Sequence, residues 1–241
     1  KHNVPVGIGL ASEIDTNMAM RAIMYSFGSS VQDVEGNVVL NSKETLEAIK
    51  FVKAMYNESM TPEVFTWDAS SNNRFMLTGK GSLTVNAISI TRTAEKDNPE
   101  MGKKIWIAKT PKGPVCRMGL QHVMNVYAIW KFAENIEGAK KFLVDYVSDF
   151  RKAFLASEFY NFPCFTKTVP DLKKQIAHDK MAHPPDKYKV LEDVQDWATN
   201  VGYPGYVNAA ISEIFGKWII SDMFGQAASG KLSPEDALKA A

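Results

Sequence analysis

Apolar residues recur along much of this chain at the spacing of an α-helix. The clearest example covers residues 41–59, and its apolar stripe consists of Leu46, Ile49, Val52 and Met55. Asn41 begins this stretch and Glu44 follows three residues later, which predicts a capped helix start. The same spacing predicts further helices over residues 12–27, 71–78, 134–148, 149–159 and 208–224. A last helix is predicted from Ser233, with proline at its first position.

Shorter stretches follow the two-residue period of a β-strand or form compact β-branched runs. Residues 4–8, 82–85, 105–108 and 122–130 are therefore predicted strands. These predicted strands alternate with the predicted helices along the chain.

The stretch from Trp67 to Arg92 combines a predicted helix, a turn at Gly79 and a strand that opens into residues 86–90. Small molecules bind beyond the carboxyl ends of strands in open α/β sheets. Residues 86–90 are therefore the first candidate for a ligand-binding loop.

Composition narrows the class of protein. The chain has 241 residues, of which 45% are hydrophobic and 23% are charged, and its formal net charge is +1. Neither a nucleic-acid partner nor a membrane surface is indicated by this balance. No apolar run approaches the roughly 20 residues that a membrane helix needs. The first residue is Lys1 rather than methionine, and we interpret both ends as cut.

Chemical motifs are mostly lacking, and no cofactor or metal is expected. The four histidines have neither the spacing nor the cysteine pairing of a zinc site. Residues 225–232 fit most of a phosphate-binding loop, but Leu232 stands where Ser or Thr would hold magnesium. A helix end is the better interpretation there. Cys116 and Cys164 are interpreted as two separate buried thiols, with one disulfide as the alternative.

Several aromatic residues fall in predicted loops rather than on apolar helix faces: Trp67, Tyr160, Phe162, Tyr203 and Tyr206. An aromatic ring can cover the apolar face of a sugar while Asn, Gln, Ser and Asp bind its hydroxyl groups. Ordinary packing is an equal alternative for each ring taken separately. The other tryptophans, Trp106, Trp130, Trp197 and Trp218, lie in predicted regular elements and are expected in the core.

Four blocks carry a family resemblance. The residues Trp67, Asp68, Asn72, Asn73, Leu77, Gly79, Lys80 and Asn86 form a "W-D-x-x-x-N-N-x-x-x-L-x-G-K … N" pattern. "L-N-S-K-E-T-L-E-A", "N-I-E-G-A-K-K-F-L" and "G-K-L-S-P-E-D-A-L" occur at residues 40, 135 and 230 onward. Together they resemble the later part of extracellular solute-binding proteins of family 1, which serve ABC importers and mostly carry sugars.

The resemblance implies a periplasmic-binding-protein-like fold of type II, with two α/β lobes, a hinge and ligand in the cleft. Residues 1–118 and 176–241 would form the C-terminal lobe, and residues 119–175 would supply the hinge crossings and a segment of the N-terminal lobe. Most of the N-terminal lobe would be missing from this chain.

By position in the family pattern, ligand contacts are expected from these residues: Ser29, Trp67, Asp68, Asn86, Ile88, Ser89, Ile90, Gln121, Tyr160 and Tyr203. Ser29 replaces a family glycine. Ser89 stands near the place of a family aromatic, so Trp67 or Tyr203 would have to supply the stacking. An N-cap is the more ordinary role for Asp68.

The implied protein is a binding component rather than an enzyme. It would be a monomeric periplasmic or extracellular protein, with a lipid anchor conceivable outside this chain, and its partners would be a neutral solute and the permease subunits. The alternatives are a carbohydrate-active enzyme, which needs two facing carboxylates, and a ligand-sensing ectodomain.

Overall fold

A computed structural model describes residues 4–119 and 126–241. Its α-helices in chain order are α1 (Ile14–Ser26), α2 (Lys43–Ser59), α3 (Ser71–Leu77), α4 (Ser89–Asp97), α5 (Pro99–Gly102), α6 (Ile136–Ser148), α7 (Phe150–Ala156), α8 (Leu172–Ala177), α9 (Ala209–Gly216), α10 (Ile219–Ala228) and α11 (Pro234–Ala240). Three 3₁₀ segments add Pro62–Thr66, Thr166–Thr168 and Lys187–Asp196.

The chain divides into two compact units. Unit 1 consists of Lys1–His122 and Asp193–Ala241, and unit 2 consists of Val123–Glu192. The assignment of residues 1–118 and 176–241 to one lobe and 119–175 to the other stays a prediction.

The core of unit 1 lies where α10 packs against α1, α2 and α11. Its completely buried side chains include Met20, Ile49, Val52, Ile220 and Phe224. The apolar stripe of α2 therefore contacts the core as its spacing predicts: Ile49 and Val52 are buried, and Leu46 and Met55 pack against them.

A smaller apolar cluster in unit 1 joins the helices that surround residues 86–90. Ile90 and Ala94 of α4 pack with Ile105, and Met76 of α3 and Met101 of α5 cover them. This cluster holds the first turn of α4 beside α3.

Unit 2 has its own aromatic core. Phe154 of α7 is completely buried and stacks on Phe159 with ring centroids 4.8 Å apart. Phe162 meets the same ring edge-on at 5.4 Å, and Tyr188 contacts Phe159 at 6.4 Å.

The predicted strands do not form ladders in the described part of the chain. Residues 4–8 and 82–85 meet in a single parallel bridge between Val6 and Leu83, and residues 105–108 have no regular structure. The first four residues of the predicted strand 122–130 lie outside the described residues, and 126–130 are not a strand. The α/β expectation is therefore wrong in this respect, because a strand needs a paired neighbour and the described residues supply almost none.

Helix ends differ from the sequence expectations in detail. Glu13 caps α1, and Ser42, not Asn41, caps α2 through its hydroxyl oxygen, which accepts from the Thr45 N–H at 3.2 Å. The predicted helix over 208–224 is two helices, because Trp218 between α9 and α10 has a left-handed φ of 60°. Ser233 caps α11 as predicted.

Two expectations of burial are wrong. Trp106 and Trp130 are 66% and 70% exposed, and the ring that stacks on Trp130, that of Phe132, is itself exposed. Cys116 is half-buried and Cys164 is exposed, and both are free thiols. Burial raises the pKa of the Cys116 thiol.

Unit 2 should lose stability in acid through one ion pair. Arg151 binds Asp171 with its Nη2 3.0 Å from Oδ2, and this hydrogen-bonded cation lowers the pKa of Asp171 from 3.8 to about 2. A carboxylate with a lowered pKa stabilises the fold above its unfolded pKa, and this contribution disappears as the pH falls from about 4 toward 2. We expect Asp171→Asn to flatten the acid dependence of unit 2 in this window, measured by near-ultraviolet circular dichroism. Asp145→Asn, an exposed control on α6, should keep the wild-type slope, and an equal flattening there would contradict the assignment.

Candidate functional site

Three neutral polar side chains meet at the start of α4. The Asn73 amide nitrogen donates to the Ser89 hydroxyl at 3.3 Å, and the Asn86 amide donates to the Asn73 side-chain oxygen. Ile88, the N-cap residue, has no polar side-chain atom that could cap the start of α4. Amide, hydroxyl and helix N-terminal N–H groups therefore share one place, which suits the binding of hydroxyl oxygens.

The position of this cluster follows from the packing beneath α3. Phe75 of α3 is buried, and its ring lies 5.2 Å from the ring of Trp67. The backbone of Gly7 lies so close to these two rings that a Cβ there would be 2.3 Å from Phe75 and 2.7 Å from Trp67. Glycine at position 7 therefore permits close packing, and Trp67 is half-buried in this contact.

Asp68 organises the turn into α3. Its Oδ1 accepts from the Ser70 N–H at 2.9 Å and from the Ser71 hydroxyl at 2.9 Å, and Arg74 binds both of its oxygens. These hydrogen bonds lower the pKa of Asp68, so it is a carboxylate at neutral pH. The N-cap residue of α3 is Ser70, which makes no side-chain capping hydrogen bond, so Asp68 is not the N-cap and instead holds the turn before the helix.

The remaining unit 1 residues predicted for ligand contact differ in how accessible they are. Ser29 is buried and its hydroxyl is hydrogen-bonded to that of Thr45. Ile90 is buried in the small apolar cluster. Ile88 and Ser89 are half-buried, and residues 86–88 form the approach to α4 rather than a loop that extends to 90.

Tyr203 lies in an aromatic loop, residues 201–207, that is held in place by hydrogen bonds to a buried glutamine. The Gln32 amide nitrogen donates to the carbonyl oxygens of Gly202 and Tyr206, each at 2.8 Å, and its oxygen accepts from Asn208 at 2.9 Å. A Cβ on Gly205 would come within 2.8 Å of that amide nitrogen, so glycine allows the close approach.

A second support of this loop comes from α1. The Arg21 guanidinium, which is fully buried, donates to the Val201 carbonyl oxygen at 3.2 Å and lies 5.4 Å from the centre of the Phe215 ring. Tyr25 packs edge-on against Tyr203 at 5.3 Å. Desolvation lowers the pKa of Arg21 and raises that of Tyr25.

Two predicted site residues fall elsewhere. Tyr160 belongs to unit 2, where it is exposed and its N–H donates to the Ser157 carbonyl oxygen at 3.0 Å. Gln121 lies outside the described residues.

The structure thus brings together Asn86 and Ser89 with Asn73, and it places Trp67 and Asp68 on the residues that lead into α3. Asn73 and Gln32 were missed as site residues. Asn73 was visible as part of the Asn72-Asn73 pair in the motif, whereas Gln32 has no local signal because its partners lie about 170 residues away. A shallow groove of about 220 Å³ near Phe27 and Lys43 includes none of the predicted residues.

No group of His, Cys, Asp and Glu in residues 4–119 and 126–241 is arranged to hold a metal ion. Over the same ranges, none of the helices has the length and apolar character to cross a membrane. The chemistry that the cluster at α4 offers is reversible hydrogen bonding to a neutral polar molecule.

Known proteins resemble the chain most clearly in structure. T. maritima MalE3, solved with maltose, superposes with a TM-score of 0.73 at 20% identity, covering 98% of this chain and 58% of its own. A sugar transporter protein of Arthrobacter chlorophenolicus A6, solved with laminaribiose, gives a TM-score of 0.77 at 15% identity and covers 98% and 59%. A provisionally named binding protein of Brucella abortus (strain 2308) is 26% identical over 156 residues, 63% of this chain and 37% of the relative. No family model matches.

Both of these solved proteins were determined with a bound sugar, and the resemblance stated from the sequence is confirmed at the level of the fold. The chain has part of the periplasmic-binding-protein fold, and it spans less than two thirds of the length of the proteins that it matches.

Proposed function

We propose that this chain is part of the solute-binding component of an ABC importer, and that it binds a small neutral solute, a sugar in the first place. The observation that carries the proposal is the cluster of Asn73, Asn86 and Ser89 at the uncapped start of α4. The sugars held by the two solved neighbours support the ligand class.

The work of such a protein is binding, not turnover. A ligand that touches both lobes favours a closed form by its differential affinity, and permease subunits would then recognise that form. The protein would act outside the cytoplasmic membrane as a monomer. Trp67 and Tyr203 would offer ring faces to the sugar.

The enzyme alternative needs a general acid, a role that Asp68 does not suit. Asp68, the carboxylate nearest to the α4 cluster in sequence, has a lowered pKa and is held by Arg74, so it is unsuited to act as a general acid. A ligand-sensing ectodomain would bind the same solute without transporting it. Measuring whether uptake of the solute depends on the protein distinguishes an importer component from such a sensor.

Thermal unfolding with maltose, laminaribiose and a panel of other mono- and disaccharides tests the proposal. A ligand that binds only the folded state adds RT ln(1+[L]/Kd), about 2.7 kcal/mol at a hundredfold excess over Kd. We expect one sugar to raise the melting temperature, and we expect Asn73→Ala to weaken this shift because it removes the side chain that links Asn86 to Ser89.

Asn57→Ala, on the exposed side of α2, is the matched control and should respond as the wild type does. The complete polypeptide from which the chain comes should be titrated in parallel, because ligand contacts contributed by the other lobe would be present there. No shift in either form with any sugar would refute the sugar assignment.

A further inference from the structure

Arg21 is a buried cation whose hydrogen-bonding groups are only partly satisfied. Its side chain is completely buried in α1, and Nη1 donates to the Val201 carbonyl oxygen at 3.2 Å. Nε and Nη2 have no hydrogen-bond partner among the described residues, and no carboxylate there pairs with the guanidinium. A guanidinium keeps its charge inside a protein, so an unpaired buried one is costly unless a negatively charged group binds it.

The two unsatisfied nitrogens lie together on one edge of the Arg21 guanidinium. The Phe215 ring lies against the face of this group, with its centre 5.4 Å from the guanidinium carbon, and the Val201 carbonyl oxygen accepts from Nη1. Nε and Nη2 form the remaining edge, which presents two parallel N–H groups. Arginine uses such an edge to bind a carboxylate through two hydrogen bonds.

An ion pair in unit 2 shows the same edge with its partner. Arg151 donates from Nε to Oδ1 of Asp171 at 3.1 Å and from Nη2 to Oδ2 at 3.0 Å. The edge of Arg151 thus binds a carboxylate of the chain itself, whereas that of Arg21 has no such partner in the part of the chain that the structure describes.

A second unsatisfied polar atom lies one helical turn away from Arg21. Asn17 precedes Arg21 by four residues, so the two side chains lie on the same face of α1. The Asn17 amide nitrogen donates to the Phe215 carbonyl oxygen at 3.0 Å, whereas its Oδ1 is buried and has no partner within residues 4–119 and 126–241. Together, Arg21 and Asn17 therefore lack a pair of oxygen acceptors and one hydrogen-bond donor.

The elements packed against this pair supply no negative charge to it. Tyr25, one turn beyond Arg21, is neutral at physiological pH because burial raises the pKa of its hydroxyl. The loop of residues 201–207 contains no acidic residue. Glu213 of α9 is exposed, and it pairs with Lys217.

We propose that Arg21 and Asn17 form a binding site for a small hydroxy acid, whose carboxylate binds the Nε–Nη2 edge and whose neighbouring hydroxyl donates to Oδ1 of Asn17. Because the guanidinium is completely buried and contacts Val201, the ligand would enter when the loop of residues 201–207 opens. The site shares no residue with the cluster at the start of α4. It therefore goes beyond the proposed function and does not depend on it.

Thermal unfolding of the 241-residue chain in sodium salts of equal ionic strength tests this site. Acetate presents the carboxylate alone, and glycolate adds a hydroxyl beside it. We expect acetate to raise the melting temperature above its value in chloride, and glycolate to raise it further because it also satisfies Asn17. Equal melting temperatures in chloride and both carboxylates would show that solvent satisfies these donors, and would overturn the proposal. A phosphate effect as large as that of glycolate would overturn the hydroxy acid assignment.

Two substitutions of Arg21 separate binding from a structural role. Arg21→Met removes the buried charge, so the chain without ligand should unfold at the same temperature or higher, and the glycolate response should disappear. Arg21→Lys keeps the charge but lacks the two-donor edge, so the apparent affinity for glycolate should fall about tenfold or more. Arg151→Met is the matched control and should keep the full response, because its edge already binds Asp171. A glycolate response that persists in both Arg21 variants would contradict the assignment.

Hydrogen exchange locates the bound ligand. The N–H groups of Gly202 and Tyr203 donate to Asn200, and glycolate should slow their exchange in the wild type but not in Arg21→Met. Amides of α7 in unit 2 should not change. Protection that is absent from residues 201–207 and from α1 and α9 would place the ligand elsewhere and overturn the proposal, whatever the response to sugars.

Discussion

Phe224→Ala is expected to lower the free energy of unfolding of unit 1 by about 3–5 kcal/mol. The Phe224 side chain is completely buried in α10, the helix that contacts α1, α2 and α11. Truncation removes its apolar surface and leaves a cavity that four-helix packing fills only in part. Urea unfolding monitored by circular dichroism at 222 nm gives the change.

Phe142→Ala is the matched control, because the same substitution is made at a side chain that is 65% exposed. Its effect on this chain should stay within about 0.5 kcal/mol, as is usual for surface positions. Equal losses at the two positions would contradict the placement of the core around α10.

Helical periodicity predicted α2, α6 and α11 because the signal is local. Each of these helices has its apolar positions and most of its capping chemistry within a few residues of itself. The predicted strands rest on equally local patterns, but a strand exists only with a paired neighbour. Val6 and Leu83 are brought together, yet their segments share just one bridge. Residues 126–130 have the right composition and no partner in the described structure.

In the candidate site, too, the sequence predicted some features and not others. The Asn72-Asn73 pair and Asn86 belong to one motif, and the structure brings Asn73 and Asn86 into contact. The family pattern gives positions along the chain but not the directions of side chains. It therefore did not predict that Ser29 and Ile90 are buried. The sequence did not predict that α4 begins at Ser89, because the N-cap residue, Ile88, is not polar. Gln32 was missed because a single residue in a turn carries no sign of its distant partners.

Gln32→Leu is expected to cost about 2–4 kcal/mol of unit 1 stability, since each buried polar partner left without a hydrogen bond costs about 1–3 kcal/mol. The substitution keeps a side chain of similar size but removes the donor to the Gly202 and Tyr206 carbonyl oxygens and the acceptor for Asn208. These three contacts fasten the two ends of the aromatic loop. The loss should therefore be concentrated in residues 201–207 rather than spread over the unit.

Hydrogen exchange separates this local effect from general destabilisation. The amides of Gly202 and Tyr203, which donate to Asn200, should exchange about tenfold faster or more, because about 1.4 kcal/mol of local stability corresponds to a factor of ten. Amides of α2 should change much less. Gln226→Leu, an exposed glutamine on α10, is the control and should leave both regions as in the wild type. Uniform acceleration in α2 and the loop would mean that Gln32 supports the fold as a whole. Selective loosening would make Gln32 the residue that positions Tyr203, and the same variant should then weaken any sugar response that depends on this ring.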